Sequence, residues 1–244
     1  MLSLKSRFTV IALISSLTGA SAIGQIITLS AVDRGWYKSN GSAAPDNQNY
    51  VAGYSYGAVY NNFFVFDSDQ FLGGSLISAK LRVFNPSLQT SQLGDGYSSP
   101  DASETIVLHA FSGNVQSLMN GTGGVTAYTD LGDGAIFGSA TVTAAKNGQW
   151  IDFILNDSFL GYAGSATDLL AIGGTLSTYS GGTFFDQRVF GFSNDLTAAP
   201  QLVLEFSPSA GPSAVPEPST YALFGTLFLL GAVLWRKRAV RASE

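Results

Sequence analysis

The chain has 244 residues, a formal net charge of −5 from 12 Lys/Arg and 17 Asp/Glu, and no cysteine. A net negative charge lacks the basic surface that binds nucleic acid. The lack of cysteine excludes disulfides, thiol catalysis and zinc–thiolate sites. The length suits one folded domain between terminal segments of different composition.

Residues 1–22 have the make-up of a secretory signal peptide. Lys5 and Arg7 form a basic start, and residues 8–17 form an apolar core. Ala20 and Ala22 belong to a cleavage site of small residues. We expect export through the Sec machinery and cleavage after Ala22, which leaves Ile23 as the mature N-terminus.

Residues 23–206 are expected to form one domain made almost entirely of strands. Residues 76–84 alternate, with an apolar face of Ile77, Ala79, Leu81 and Val83, and residues 62–67 form the continuous apolar run of a strand buried on both faces. The predicted strands, separated by Gly-, Pro- and Asn-containing turns, are 25–30, 62–67, 76–84, 105–111, 135–143, 150–155, 169–176, 188–193 and 201–206.

Short strands with few helices predict an all-β fold, an antiparallel β-sandwich of jelly-roll type. Asn147-Gly148 predicts a hairpin with a type I′ turn between residues 141–143 and 150–155. Two short helices are expected, at 115–120 with Asn114 as N-cap and at 158–163. The polar segments 33–49 and 87–103 are expected to be loops.

No catalytic centre is evident in the sequence, and we expect a protein that is not an enzyme. His109 is the only histidine and lies in a predicted strand, without a second histidine, a cysteine or a nucleophile elbow. A glycosidase needs two carboxylates that flank a sugar bond, and the pairs nearest in sequence are Asp67/Asp69 and Asp152/Asp157. Spacing alone does not select either pair.

No cofactor is predicted, although the carboxylates suit one metal. Calcium takes hard oxygen ligands from loops, and Asp67, Asp69, Asp130 and Asp133 supply them in two loop-like segments. Neither segment fits an EF-hand, and Asp133-Gly134 is also an ordinary turn pair. Both interpretations stay open at this point.

Aromatic residues cluster early in the domain, where they indicate a carbohydrate-contact surface. Sugar rings pack on exposed Trp or Tyr faces, and Trp36, Tyr54 and Tyr56 are the candidates; Tyr54 and Tyr56 would share one strand face. The alternative is that these side chains are ordinary, partly buried strand residues.

The C-terminal segment, residues 215–244, has three parts behind a small-residue linker at 207–214. An extended Pro-Glu-Pro strut precedes an apolar run, 221–235, which reaches roughly 22 Å as a helix against a bilayer core of about 30 Å. The basic cluster after this predicted transmembrane segment belongs on the cytoplasmic side. By itself the pattern is also that of a plain membrane anchor.

The same segment closely resembles the PEP-CTERM sorting signal of exported bacterial proteins. The resemblance is carried by Val215, Pro216, Glu217, Pro218, Ser219 and Thr220, and by Arg236, Lys237 and Arg238 after the apolar run. It implies recognition and processing by exosortase, a membrane enzyme of bacteria that make extracellular polysaccharide. The protein would be anchored transiently and then reach the cell surface or the extracellular space.

The ectodomain resembles that of a group of PEP-CTERM cargo proteins whose activity is unassigned. The resemblance rests on segments 64–67, 77–84, 128–134, 137–142, 155–160, 171–176, 189–193 and 201–204. We therefore expect a non-catalytic surface or matrix protein associated with exopolysaccharide and biofilm. The alternative is a carbohydrate-binding module in that polysaccharide matrix.

Overall fold

The computed structural model describes residues 24–71, 75–88, 94–182, 185–191 and 198–207. All of them belong to one unit, Gly24–Ser209. The strands are β1 Gln25–Ser30, β2 Asp33–Lys38, β3 Ala52–Ser55, β4 Ala58–Asp67, β5 Leu76–Asn85, β6 Glu104–Ala110, β7 Ile136–Val142, β8 Gln149–Leu155, β9 Leu169–Leu176, β10 Gln187–Val189 and β11 Gln201–Phe206. The α-helices are α1 Val115–Met119, α2 Gly124–Asp133 and α3 Asp157–Gly164, and two 3₁₀ turns occupy Ser68–Gln70 and Ala144–Lys146.

The strands form two antiparallel sheets. The smaller has the order β1-β11-β5-β8. The larger has the order β10-β3-β4-β9-β6-β7, with β2 also paired to β4. The predicted all-β, antiparallel class is confirmed, and β1, β9 and β11 have the boundaries that the sequence predicted.

The two sheets share one hydrophobic core, because a single cluster of buried side chains draws on both. Leu81 of β5 and Phe153 of β8 come from the smaller sheet, and Phe64, Ile106 and Ile172 from the larger. Alternation in β5 is as predicted for Ala79, Leu81 and Val83, which are buried. Ile77 is 50% exposed instead, since it lies at the strand start, near the register shift opposite Glu205/Phe206.

The larger sheet is covered on its other face by α1 and α2. Phe63 and Val65 of β4 pack there with Leu118 and Leu131, whereas Phe64 faces the shared core. Because both faces of β4 are covered, its sequence is a continuous apolar run.

The two predicted helices are present, and a third was missed. Asn114 caps α1 through a 2.8 Å bond from the Ser117 N–H, as predicted, and Asn156 caps α3. Helix α2 has Gly and Thr residues of weak helix propensity, so the sequence suggested a turn at Asp133-Gly134. Ala127 and Leu131, four residues apart, are the buried side chains that fix it on the sheet.

Two local predictions were wrong. Segment 33–49, expected to be a loop, contains β2, whose central residues are buried between β4 and residues 42–49. The Asn147-Gly148 hairpin does not form, because β7 pairs with β6 and β8 with β5, in different sheets. Asn147 at φ −62° and ψ 134°, followed by Gly148 at φ 75°, has the dihedrals of a type II turn.

The side chain of Asn147 explains the difference. Its Oδ1 accepts hydrogen bonds from the Tyr97 N–H and from Asn85 Nδ2, both at 2.8 Å. The Gly148 N–H donates to the Asn85 carbonyl at 2.7 Å. The pair therefore ties a crossover between sheets instead of closing a hairpin.

Candidate functional site

Three tyrosines are linked through Tyr179, which stacks on Tyr54 and raises the pKa of the Tyr128 phenol. Tyr54 comes from β3, Tyr128 from α2, and Tyr179 from the turn after β9, and all three are partly exposed. We call these three residues the tyrosine platform.

Strand register places Tyr54 on the helix-covered face of the larger sheet. Tyr54 lies directly opposite Val59 of β4, and directly opposed residues point to the same side of a sheet. Asn61, two residues beyond Val59, faces α2 and donates a 2.9 Å hydrogen bond from Nδ2 to the Tyr128 carbonyl. The strand and the helix that carry the platform are thereby tied together.

The rings of Tyr54 and Tyr179 are stacked. Their centroids are 5.8 Å apart and their planes differ by 5°. Tyr179 is held at both ends, because its N–H donates to the Leu176 carbonyl at 3.4 Å and its hydroxyl to the Gly182 carbonyl at 3.2 Å. Because stacked rings cover part of each other's inner faces, the outer face of either ring is the surface that can meet a flat ligand.

Tyr128 completes the group. Burial raises the pKa of its phenol, and the neighbouring Tyr179 raises that pKa further. Both effects favour the neutral hydroxyl, which both donates and accepts hydrogen bonds.

A fixed polar network borders the platform. Gln187 of β10 lies directly opposite Tyr54, so its side chain emerges on the same face. Its Oε1 accepts from the N–H and Oγ of Ser180, and its Nε2 donates to the Thr178 carbonyl and to Asp101 Oδ2, both at 3.1 Å. The exposed Asp101 carboxylate is thereby tied through Gln187 to the strand opposite Tyr54.

Glu104 anchors the same turn from beneath. Its side chain is fully buried, and its carboxylate accepts hydrogen bonds from the hydroxyls of Ser99 and Thr178. A buried carboxylate needs such partners, because an uncompensated charge is costly in the interior. The turn that carries Tyr179 is therefore pinned to β6.

The sequence-predicted carbohydrate residues do not all belong to this surface. Tyr54 does, but Tyr56 lies beyond the end of β3, in a two-residue turn with Gly57. Both have positive φ, 46° and 77°, as a type I′ turn requires, so Tyr54 and Tyr56 do not share a strand face. Trp36 is 9% exposed and packs edge-on against Tyr60, with no broad ring face open to solvent.

Tyr128 and Tyr179 were missed by sequence reasoning because they are distant from Tyr54 along the chain. The one local signal was a tyrosine between Thr178 and Ser180, just before the Gly181-Gly182 turn. Such a residue is well placed to lie at a sheet end, but nothing in the sequence identifies its partners.

The carboxylates considered for calcium lie in two elements, a 3₁₀ turn after β4 and helix α2. Asp67 ends β4 and caps the following 3₁₀ turn, which carries Asp69, through a 3.0 Å bond from the Asp69 N–H. Asp130 and Asp133 lie on α2, and Asp130 accepts three 2.8 Å bonds, from the Ser112 N–H and Oγ and from the Gly113 N–H. Within the described ranges, no three His, Cys, Asp or Glu side chains group as a metal site. Calcium binding by either pair stays a prediction.

The other two acids also have separate structural surroundings. Asp152 lies on the outer face of β8 and bonds Lys80 Nζ at 2.9 Å and Arg82 Nε at 3.0 Å, whereas Asp157 lies in the first turn of α3. Burial raises the pKa of the Asp152 carboxyl, but the hydrogen bonds and charges of Lys80 and Arg82 outweigh it and lower that pKa.

His109 lies in β6, as predicted, and is mostly buried. Its Nδ1 is 3.0 Å from the Gly134 carbonyl, so Nδ1 carries the proton and donates. This bond ties the strand to the end of α2.

The predicted targeting residues lie outside the part of the chain that the structure describes. They are Ala20 and Ala22, residues 215–220, the apolar run 221–235 and Arg236, Lys237 and Arg238. Among the helices of the described residues, none has the length and apolar character to cross a membrane.

Comparison with protein families matches residues 214–238 to the PEP-CTERM protein-sorting motif. The resemblance seen in the sequence is thereby confirmed, and it is consistent with an exosortase substrate. The motif indicates export, transient membrane anchoring and processing by an exosortase membrane enzyme before surface display. No curated protein matches the chain.

Proposed function

We propose that the chain is a non-catalytic protein of the bacterial cell surface or extracellular polysaccharide matrix. The observation that carries the proposal is the sorting motif at residues 214–238. Further support comes from the signal-peptide pattern of residues 1–22 and from the acidic domain, which has six Lys/Arg against fifteen Asp/Glu over residues 23–214. An acidic, cysteine-free domain stays soluble among polysaccharides without depending on redox conditions.

The proposed organisation follows the predicted boundaries. A signal peptide, 1–22, precedes a β-sandwich of jelly-roll type, 23–206, then a linker, 207–214, and the sorting segment, 215–244, with its transmembrane run 221–235. Jelly-roll connections are supported by the pairing of strands far apart in the chain, such as β1 with β11 and β4 with β9. The partners would be the Sec export machinery and an exosortase-type enzyme.

Changing the motif tests this proposal. Glu217→Ala together with Pro218→Ala removes the Pro-Glu-Pro strut without touching the ectodomain. We expect this full-length variant to stay in the membrane fraction of exosortase-containing cells, while the unaltered chain appears at the surface or in the medium. A matched change in the linker, Ser209→Ala, should leave sorting as it is. Equal release of the doubly substituted chain would contradict exosortase sorting.

Carbohydrate binding is the second candidate, and the stacked Tyr54–Tyr179 pair favours it. The rings are linked through the buried Gln187 to the exposed Asp101 carboxylate, which adds a polar group to an apolar surface. A sugar ring has the matching features, with C–H bonds on its faces and hydroxyls at its rim. Affinity electrophoresis through gels that contain the polysaccharide of the producing cell tests it, and unchanged migration in every polymer would contradict it.

A further inference from the structure

The outer edge of β1 is an exposed strand edge in the described part of the chain. Gln25, Ile26, Thr28 and Ser30 are exposed, and Ile26 is 66% exposed. Strand β1 pairs with β11 on one side, and among the described residues no other backbone group pairs with it. An unpaired edge presents a row of N–H and C=O groups that can accept another strand.

Three other terminal strands, β7, β8 and β10, are covered by identifiable contacts. In β10, the N–H and C=O of Arg188 both bond to Ser98, at 2.8 and 3.1 Å. The edges of β7 and β8 meet each other, since the Asn156 N–H donates to the Phe137 carbonyl at 2.8 Å and the Ile154 carbonyl lies against Gly138. Contacts of this kind prevent further strand pairing, and β1 has none among the described residues.

The composition of β1 also differs from that of a protected edge. Natural edge strands commonly carry charged residues or proline, which oppose pairing between copies. The six residues of β1, Gln-Ile-Ile-Thr-Leu-Ser, include neither, although the surrounding domain is acidic. Two copies of β1 could pair without placing like charges opposite each other.

We propose that β1 pairs antiparallel with β1 of a second copy, so that two four-stranded sheets join into one. The preferred register sets Thr28 opposite Thr28 of the partner, because inward-facing Ile27 then meets Leu29 and outward-facing Ile26 meets Ser30. This register keeps both apolar inner faces on the same side of the joined sheet. Because a two-fold pair uses the same edge of both copies, it forms a closed dimer and does not extend into a fibre.

The cysteine-free chain allows a direct test by single-cysteine cross-linking. The exported full-length protein carries either Thr28→Cys or the matched control Ile26→Cys and is oxidised with copper phenanthroline. In the proposed register the two copies of position 28 face each other. The two copies of position 26 lie about 14 Å apart along the strands, beyond disulfide reach.

A disulfide dimer with Thr28→Cys, and little with Ile26→Cys, is the expected result. Sedimentation of the unaltered protein should give twice the chain mass, and Thr28→Lys should return it to a monomer because two like charges would face each other. Higher salt should favour the dimer, since it screens repulsion between two acidic domains. A monomer under all conditions, or equal cross-linking at both positions, would overturn the proposal.

Discussion

The rings of Tyr54 and Tyr179 lie parallel, with centroids 5.8 Å apart and planes 5° apart. If this pair binds sugar rings, Tyr179→Ala should weaken retention on the cell's polysaccharide about tenfold, which corresponds to about 1.4 kcal/mol. The reason is the loss of one of two stacked surfaces. Binding constants from affinity electrophoresis provide the measurement.

Two matched variants separate the ring from its surroundings. Tyr179→Phe keeps the aromatic face and loses only the 3.2 Å bond to the Gly182 carbonyl, so it should keep most of the affinity. Tyr56→Ala removes an exposed ring at the tip of the β3–β4 turn, outside the platform, and should change little. Equal losses in Tyr56→Ala and Tyr179→Ala would argue against the platform as the binding surface.

Helix α2 packs so closely on β9 that a single methyl group should disturb it. A Cβ added at Gly173 would lie 2.4 Å from the Leu131 carbonyl oxygen, and backbone cannot rotate away as a side chain can. We expect Gly173→Ala to lower the free energy of unfolding by about 1–3 kcal/mol. Chemical denaturation of the purified protein measures the change.

Gly161 is the matched control for this effect. It lies inside α3, and a Cβ there would have nothing within 4 Å. Gly161→Ala should raise the free energy of unfolding by about 0.5–1 kcal/mol, because alanine loses less backbone entropy in a helix. Similar destabilisation by both changes would mean that the α2–β9 contact is looser than described.

Acid should lower the stability of the fold by protonating Asp152 on the outer face of the smaller sheet. Its pKa is lowered in the fold because the bonds from Lys80 and Arg82 outweigh the effect of burial. Because the pKa is lower in the folded state, the carboxylate contributes its full stability above the pKa of the unfolded chain, about 4. This contribution is lost as the pH falls through the pKa of the folded state. Asp152→Asn should therefore flatten the fall in stability below about pH 4.

Alkali should weaken the domain through buried tyrosines. Burial is the largest cause that raises the pKa of Tyr37 and of Tyr162 above the usual 10.0. Because the pKa is higher in the folded state, each neutral phenol contributes its full stability below pH 10. This contribution is lost as the pH rises through the pKa of the folded state. Tyr162→Phe should reduce the steepness of this loss in denaturation curves recorded between about pH 9 and 12. An unchanged slope would contradict the assignment.

Local patterns predicted most of the strands because the side-chain period directly reflects burial. Strand β5 alternates since one face meets the shared core, and β4 is apolar throughout since α1 and α2 cover its second face. The cap of α1 was also predicted, because Asn114 acts within three residues of its own position.

The remaining features depend on contacts between distant segments. Helix α2 is stabilised by packing of Leu131 and not by its own propensity, and Asn147-Gly148 is redirected by bonds to Asn85 and Tyr97. The tyrosine platform joins three elements that only the fold brings together. The sorting signal is the opposite case, because its proline strut, apolar run and basic cluster are contiguous in sequence.

Mass spectrometry of the termini of the exported protein tests the central claim most directly. The account predicts a new N-terminus at Ile23, from cleavage after Ala22, and loss of the segment that follows Pro216-Glu217-Pro218 once the protein has reached its final location. A chain recovered there with its C-terminus intact at Glu244 would contradict processing by an exosortase and leave the segment as a permanent membrane anchor.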